Sequence, residues 1–127
     1  MPGKRVFEYA VIRVVPRVER EEFINVGVIL FCKTDKYLQC IIQVDDERLV
    51  AFSNGLDIDQ VKANLYAFAE ITRGNTTCGP IAALDEASRF RWLTATRSTV
   101  VQASKVHPGL TDDCEKTLKR LFNEMVA

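Results

Sequence analysis

Ile24 to Cys32 reads INVGVILFC, a run in which nearly every residue is apolar and most are β-branched or aromatic. It is too short for an ordinary helix and too continuously apolar for a strand with one wet face, so it predicts a central strand covered on both sides. Upstream, Val6 to Val15 reads VFEYAVIRVV, and Pro16 then removes a ladder donor, which fits a strand that stops there. Glu8 and Arg13 interrupt this strand with opposite parity, so they cannot pair with each other across one face. Each is costly unless it finds a partner or an edge. Downstream, KTDK is of hairpin length and leads into YLQCIIQV from Tyr37 to Val44. There Leu38, Cys40, Ile42 and Val44 share one side, predicted to face helices, and Gln39, Ile41 and Gln43 share the other. The start of the chain is three sequential antiparallel strands.

Beyond this the period changes. Val61, Leu65, Phe68 and Ile71 lie on one helical stripe, with Asp57 and Gln60 as the start signal and Gly74 as the stop. A shorter helix is expected from Asp46 to Ser53, capped by Asp45, Asp46 and Glu47. After the loop GNTTCG, Pro80 suits the first position of a helix running through Ile81, Leu84, Ala87 and Phe90. Ser98 to Ser104, STVVQAS, reads as a fourth strand, and HPGL after it as a turn. Thr111 is the expected cap of a last helix with the stripe Cys114, Leu118, Leu121, Phe122 and Met125. The sum is one α+β domain over residues 1–127, an antiparallel sheet of about four strands packed on three or four helices.

Composition narrows the function classes. Seventeen basic residues balance 17 acidic ones, so the molecule lacks the overall field of a general nucleic-acid or membrane binder, and anion recognition has to be local. No run approaches the roughly 18 apolar residues of a membrane helix, and the N-terminus lacks a signal-peptide pattern. Cys32, Cys40, Cys78 and Cys114 form no C-x-x-C pair; the spacing predicts reduced thiols in a cytoplasmic protein and no metal site. No nucleotide-binding, serine-hydrolase or zinc-protease signature occurs, and no cofactor is implied.

The local field is found in RFRWLTATRSTVVQASKVHPGL, Arg89 to Leu110, which carries four basic residues against no carboxylate and holds the only Trp and the only His. Arg91 and Arg97, with the hydroxyls of Ser98 and Thr99, sit on a helix-to-strand connection where guanidinium forks grip phosphate or carboxylate. The plainer reading leaves Arg89 and Arg91 at a helix end, paired with Asp85 or Glu86, and makes Arg97 the sharper candidate. Arg13 extends this field if the first and fourth strands are neighbours. Trp92 is read as core. His107 is the candidate acid/base, histidine being the residue type suited to that work, and Glu19 and Glu22 in VEREEF are either metal or catalytic carboxylates or a solvated turn. Asn25, an amide in an apolar strand, needs partners and is expected to hold the adjacent loop.

EREEFINVGVIL at Glu19 to Leu30, FRWLTATRSTVVQ at Phe90 to Gln102 and VHPGLTDD resemble a bacterial family catalogued as domain of unknown function 3037, over the whole chain. Thr96 and Ala103 stand where its members often have Pro, a change that loosens the loop and leaves the candidate side chains alone. The resemblance carries no activity. It implies a partner, since members are often encoded beside HipA-like kinase proteins.

Two functional readings follow. In the first the chain is a small cytoplasmic binding or accessory protein that holds an anionic, phosphate-like group or a HipA-like kinase partner through Arg97, Arg91, Ser98, Thr99 and Arg13. In the second it is an enzyme acting on a phosphorylated or nucleic-acid substrate, with His107 as acid/base and Glu19 or Glu22 assisting. The thin catalytic inventory favours the first.

Overall fold

The computed structural model describes residues 3–17, 20, 22–53, 55–95 and 99–126, the side chain of Cys78 excepted. Its elements run β1 (Arg5–Val14), β2 (Ile24–Cys32), β3 (Tyr37–Ile42), α1 (Asp46–Phe52), α2 (Ile58–Arg73), α3 (Glu86–Thr94), β4 (Val101–Ala103), β5 (His107–Thr111) and α4 (Cys114–Met125). The strands form one antiparallel sheet in the order β3-β2-β1-β4, and β5 pairs with β1 as well. β4 takes the Ile12–Val14 end of that edge and β5 the Arg5–Tyr9 end.

Both faces of the sheet are covered. Ala10, Ile12 and Val14 of β1 with Ile29 and Phe31 of β2 pack on Leu49 of α1, on Val61, Leu65, Phe68 and Ile71 of α2, and on Phe90 and Leu93 of α3. On the other face Phe7, Val28, Leu30 and Cys32 meet Cys114, Leu118 and Leu121 of α4. β2 therefore has no wet side, which is why its sequence carries no alternation.

One irregularity organises β2. Ile12 pairs with Gly27 and Arg13 with Asn25, so Val26 is an extra residue in the ladder. In such a bulge two residues of one strand oppose one of its partner, and the inward parity shifts from Ile24 and Val26 to Ile29 and Phe31. Gly27 is the residue that permits the crowding. A Cβ there would lie 2.5 Å from the backbone oxygen of Ile41 and 3.0 Å from the Ile42 side chain. A second glycine solves a similar problem at the edge, since Gly109 lies opposite Phe7 and leaves room for its ring.

Several local expectations shift. HPGL is strand β5, not a turn: β1 runs beyond β4 and leaves ladder positions that His107 to Leu110 fill, and Pro108 is tolerated because the strand lies at an edge. The fourth strand is shorter than STVVQAS, with Ser98 outside the described residues. The helix begun at Pro80 is two pieces, a 3-10 turn at Pro80–Ala83 and then α3, because Asp85 caps afresh by accepting from the Ser88 backbone N–H at 2.8 Å. Thr111 does not cap α4; Asp113 does, and Thr111 Oγ1 accepts the Asp113 N–H at 3.0 Å. Asn25 holds the far end of the chain instead of its neighbouring loop, donating from Nδ2 to Met125 O at 3.1 Å. α1 and α2 begin at Asp45 and Asp57 as read, and Gly74 closes α2 at a φ of 77°. No described helix is long and apolar enough to cross a membrane.

Gly27→Ala is expected to lower unfolding stability by about 1–3 kcal/mol, because the obstruction is backbone oxygen and cannot rotate away. Urea unfolding checks this, and an unchanged midpoint would mean that the bulge relaxes freely.

Candidate functional site

α3 is anchored from two directions. Phe90 is fully buried and stacks on Phe31 with ring centroids 5.3 Å apart. Arg89 lies buried beneath α3 and donates to the carbonyls of Leu84 at 2.6 Å and Thr72 at 3.4 Å. Its contact with Glu86 is a loose 3.9 Å, so this arginine ties α3 to the end of α2. With α3 fixed in this way, Trp92 and Leu93 face α2 across a gap that β4 closes from the third side.

The gap is a cleft of about 250 Å³, lined by Asn64, Ala67, Phe68 and Ile71 of α2, Trp92 and Leu93 of α3, and Ala95, Thr99, Val101, Gln102 and Ala103 around β4. Its floor is apolar and its rim polar. Thr99 Oγ1 donates to Val101 O at 2.7 Å, Gln102 Nε2 donates to Thr99 O at 2.7 Å, and Asn64 Oδ1 accepts from Gln60 at 3.1 Å. These bonds hold the rim in shape. Trp92 is 38% exposed, a wall residue where a core residue had been expected.

The other candidate residues among those described do not gather here. Arg91 is engaged in a two-pronged pair with Glu8, Nη1 to Oε2 at 2.9 Å and Nη2 to Oε1 at 2.8 Å, which raises the Arg91 pKa. The same pair resolves the cost of Glu8 in β1. Arg13 points to the opposite face from Ile12 and Val14; its guanidinium carbon lies 3.8 Å from the Phe23 ring centroid, and burial lowers its pKa. β1 and β4 are neighbours, with Arg13 opposite Gln102. The sheet nevertheless stands between the Arg91 and Arg13 guanidiniums, so one anion cannot take both.

His107 is exposed at the start of β5, opposite Tyr9, with the two rings 5.4 Å apart. Glu22 is exposed and paired with Arg20, at the end of the sheet where Ile24 meets Val14. Five strand positions separate Tyr9 from Val14, roughly 17 Å, so His107 and Glu22 do not share a site. Arg97, Ser98 and Glu19 lie outside the described residues.

A group that the sequence left unmarked converges behind α4: Cys32, Asp35 and Cys114, with Arg5 beside them. Cys32 and Asp35 are near neighbours in the chain, but Cys114 is 79 residues from Asp35, so spacing alone marks both cysteines only as plain reduced thiols. The Cys114 thiol is pushed up to about 12, first by burial and then by donating to Asp35. Asp35 is held below the usual carboxylate range by that bond and by Arg5.

These features define a small α/β/α layered protein with an open antiparallel sheet and an apolar cleft between α2, α3 and β4. The chain belongs to the family described as protein of unknown function DUF3037, which matches residues 9–126, nearly its full length. Neither the curated proteins nor the solved structures contain a match to it.

A double-mutant cycle on Glu8→Gln and Arg91→Met is expected to give a coupling of at most about 1 kcal/mol that shrinks with added salt, because the Arg91 side chain is 57% exposed. A larger, salt-insensitive coupling would show the pair to be sheltered from water.

Proposed function

We propose that this protein is a cytoplasmic binding or accessory protein that receives an anionic group with an apolar body at the α2–α3–β4 cleft, with Arg97 as the anion ligand. The observation that carries the reading is continuity: Ala95 and Thr99 both line the cleft, and Arg97 stands between them in the chain, two residues from each. An apolar floor of Phe68, Ile71 and Leu93 favours a ring or branched aliphatic group by excluding water from it. The guanidinium of Arg97, two positions in sequence from the lining residues Ala95 and Thr99, would favour a phosphate or carboxylate on that group.

Size limits the ligand. At about 250 Å³ the cleft is smaller than the usual pocket for a free metabolite, which begins near 300 Å³, and suits one ring or one side chain. A segment of a partner protein that presents such a side chain beside an acidic or phosphorylated residue meets both requirements. The HipA-like kinase implied by the family resemblance is the first partner to test. Arg91 and Arg13 are left out of this site, being engaged with Glu8 and Phe23.

Trp92, the only tryptophan, lines the cleft and reports its occupancy. Titration with phenyl phosphate is expected to change its fluorescence saturably. Arg97→Ala is expected to weaken binding about tenfold, equivalent to about 1.4 kcal/mol, with phenol binding both proteins alike. Equal affinity of both proteins for phenyl phosphate would remove Arg97 from the site, and no response to either compound would remove the cleft. Recovery of a co-expressed HipA-like kinase with the wild type and not with Arg97→Ala is the corresponding expectation for the partner.

A further inference from the structure

Three side chains from three elements meet on the α4 side of the sheet, away from the cleft. Cys32 ends β2, Asp35 lies in the turn before β3, and Cys114 opens α4. One sulfur or carboxylate oxygen from each lies within 4.8 Å of the other two. Cys32 is fully buried and Cys114 is 5% exposed, while Asp35 stands at the surface. The Asp35 carboxylate is divided: Oδ1 pairs with Arg5 Nε at 2.6 Å, and Oδ2 accepts from Cys114 Sγ at 3.3 Å. Arg5 is itself fixed, donating from Nη2 to Asp112 O at 3.0 Å.

We propose that Cys32, Asp35 and Cys114 form a binding site for a thiophilic divalent cation of the Zn²⁺ class, which ties the first turn of α4 to the β2–β3 hairpin. Three arguments support this. The donor set, two thiols and one carboxylate, is one that zinc accepts, and the donors already lie within 4.8 Å of one another, where sulfurs around tetrahedral zinc would stand about 3.8 Å apart. The charges cancel: two thiolates and a carboxylate bring three negative charges, and the divalent ion with Arg5 brings three positive ones. Arg5 also does what outer-shell groups do in metal sites, holding one carboxylate oxygen so that the other faces the ion.

The exchange is balanced. Each thiol releases its proton to water as its sulfur–metal bond forms, the metal keeps its oxidation state, and no oxidant is required. In the metal-free state Cys114 keeps its proton, burial and the Asp35 bond both favouring the neutral thiol. Asp35, being exposed, gives the ion its way in.

The test uses the full-length reduced protein, stripped with chelator and titrated with Co²⁺. The expected result is one equivalent bound, with thiolate-to-cobalt charge transfer in the near ultraviolet and the intense visible bands of a tetrahedral site, both abolished by Zn²⁺. Cys114→Ser is expected to remove the charge-transfer band, Arg5→Gln to weaken binding about 10- to 100-fold, and Cys40→Ser to change nothing. Cys32 is fully buried, and if Cys32→Ser does not fold, Asp35→Asn takes its place, with a tenfold or greater loss expected. Absence of the bands in the wild type overturns the proposal, as does their persistence in Cys114→Ser.

Discussion

Burial of β2 on both faces is the constraint from which the rest of the structure follows. A strand that is apolar throughout must be roofed twice, and this chain supplies α1, α2 and α3 on one side and α4 on the other. The bulge at Val26 and Gly27 lets the strand serve both roofs, because it shifts the inward parity halfway along without breaking the pairing with β1. Each end of β2 thereby gains a local consequence. One places Asn25 beneath Met125, and the other places Cys32 beside Cys114.

Much of the fold is legible in the sequence because local chemistry specifies it. Asp45 and Asp57 mark helix starts, Gly74 marks a stop, and KTDK closes a hairpin whose Lys36 N–H returns to Lys33 O at 3.2 Å. What the sequence conceals depends on distant partners. HPGL has the composition of a turn and becomes a strand only because β1 leaves ladder positions open. Asp113 outcompetes Thr111 as cap because Thr111 is held by β5 and by its hydroxyl contact with Thr117.

The candidate site was legible in part for the same reason. A run rich in arginine is visible in one dimension, whereas the partner of each arginine is not. Glu8 of β1 claims Arg91 of α3, Phe23 claims Arg13, and Arg89 is spent on the carbonyls of Leu84 and Thr72. Arg89 and Arg91 of the cationic stretch are thus taken up by structural tasks, and the ligand role proposed for the stretch falls to Arg97. Periodicity marks the cleft wall from α2 only as a core stripe, because it tells which face is apolar and not whether every part of it is covered.

The direct test of the central claim, that the α2–α3–β4 cleft is the binding site, is an amide and indole chemical-shift map recorded while phenyl phosphate is added. The account predicts progressive shifts at Asn64, Phe68, the Trp92 indole and Arg97, with His107, Arg13 and Cys114 unmoved. Shifts centred on His107 or Arg13, with the Trp92 indole unmoved, would contradict it.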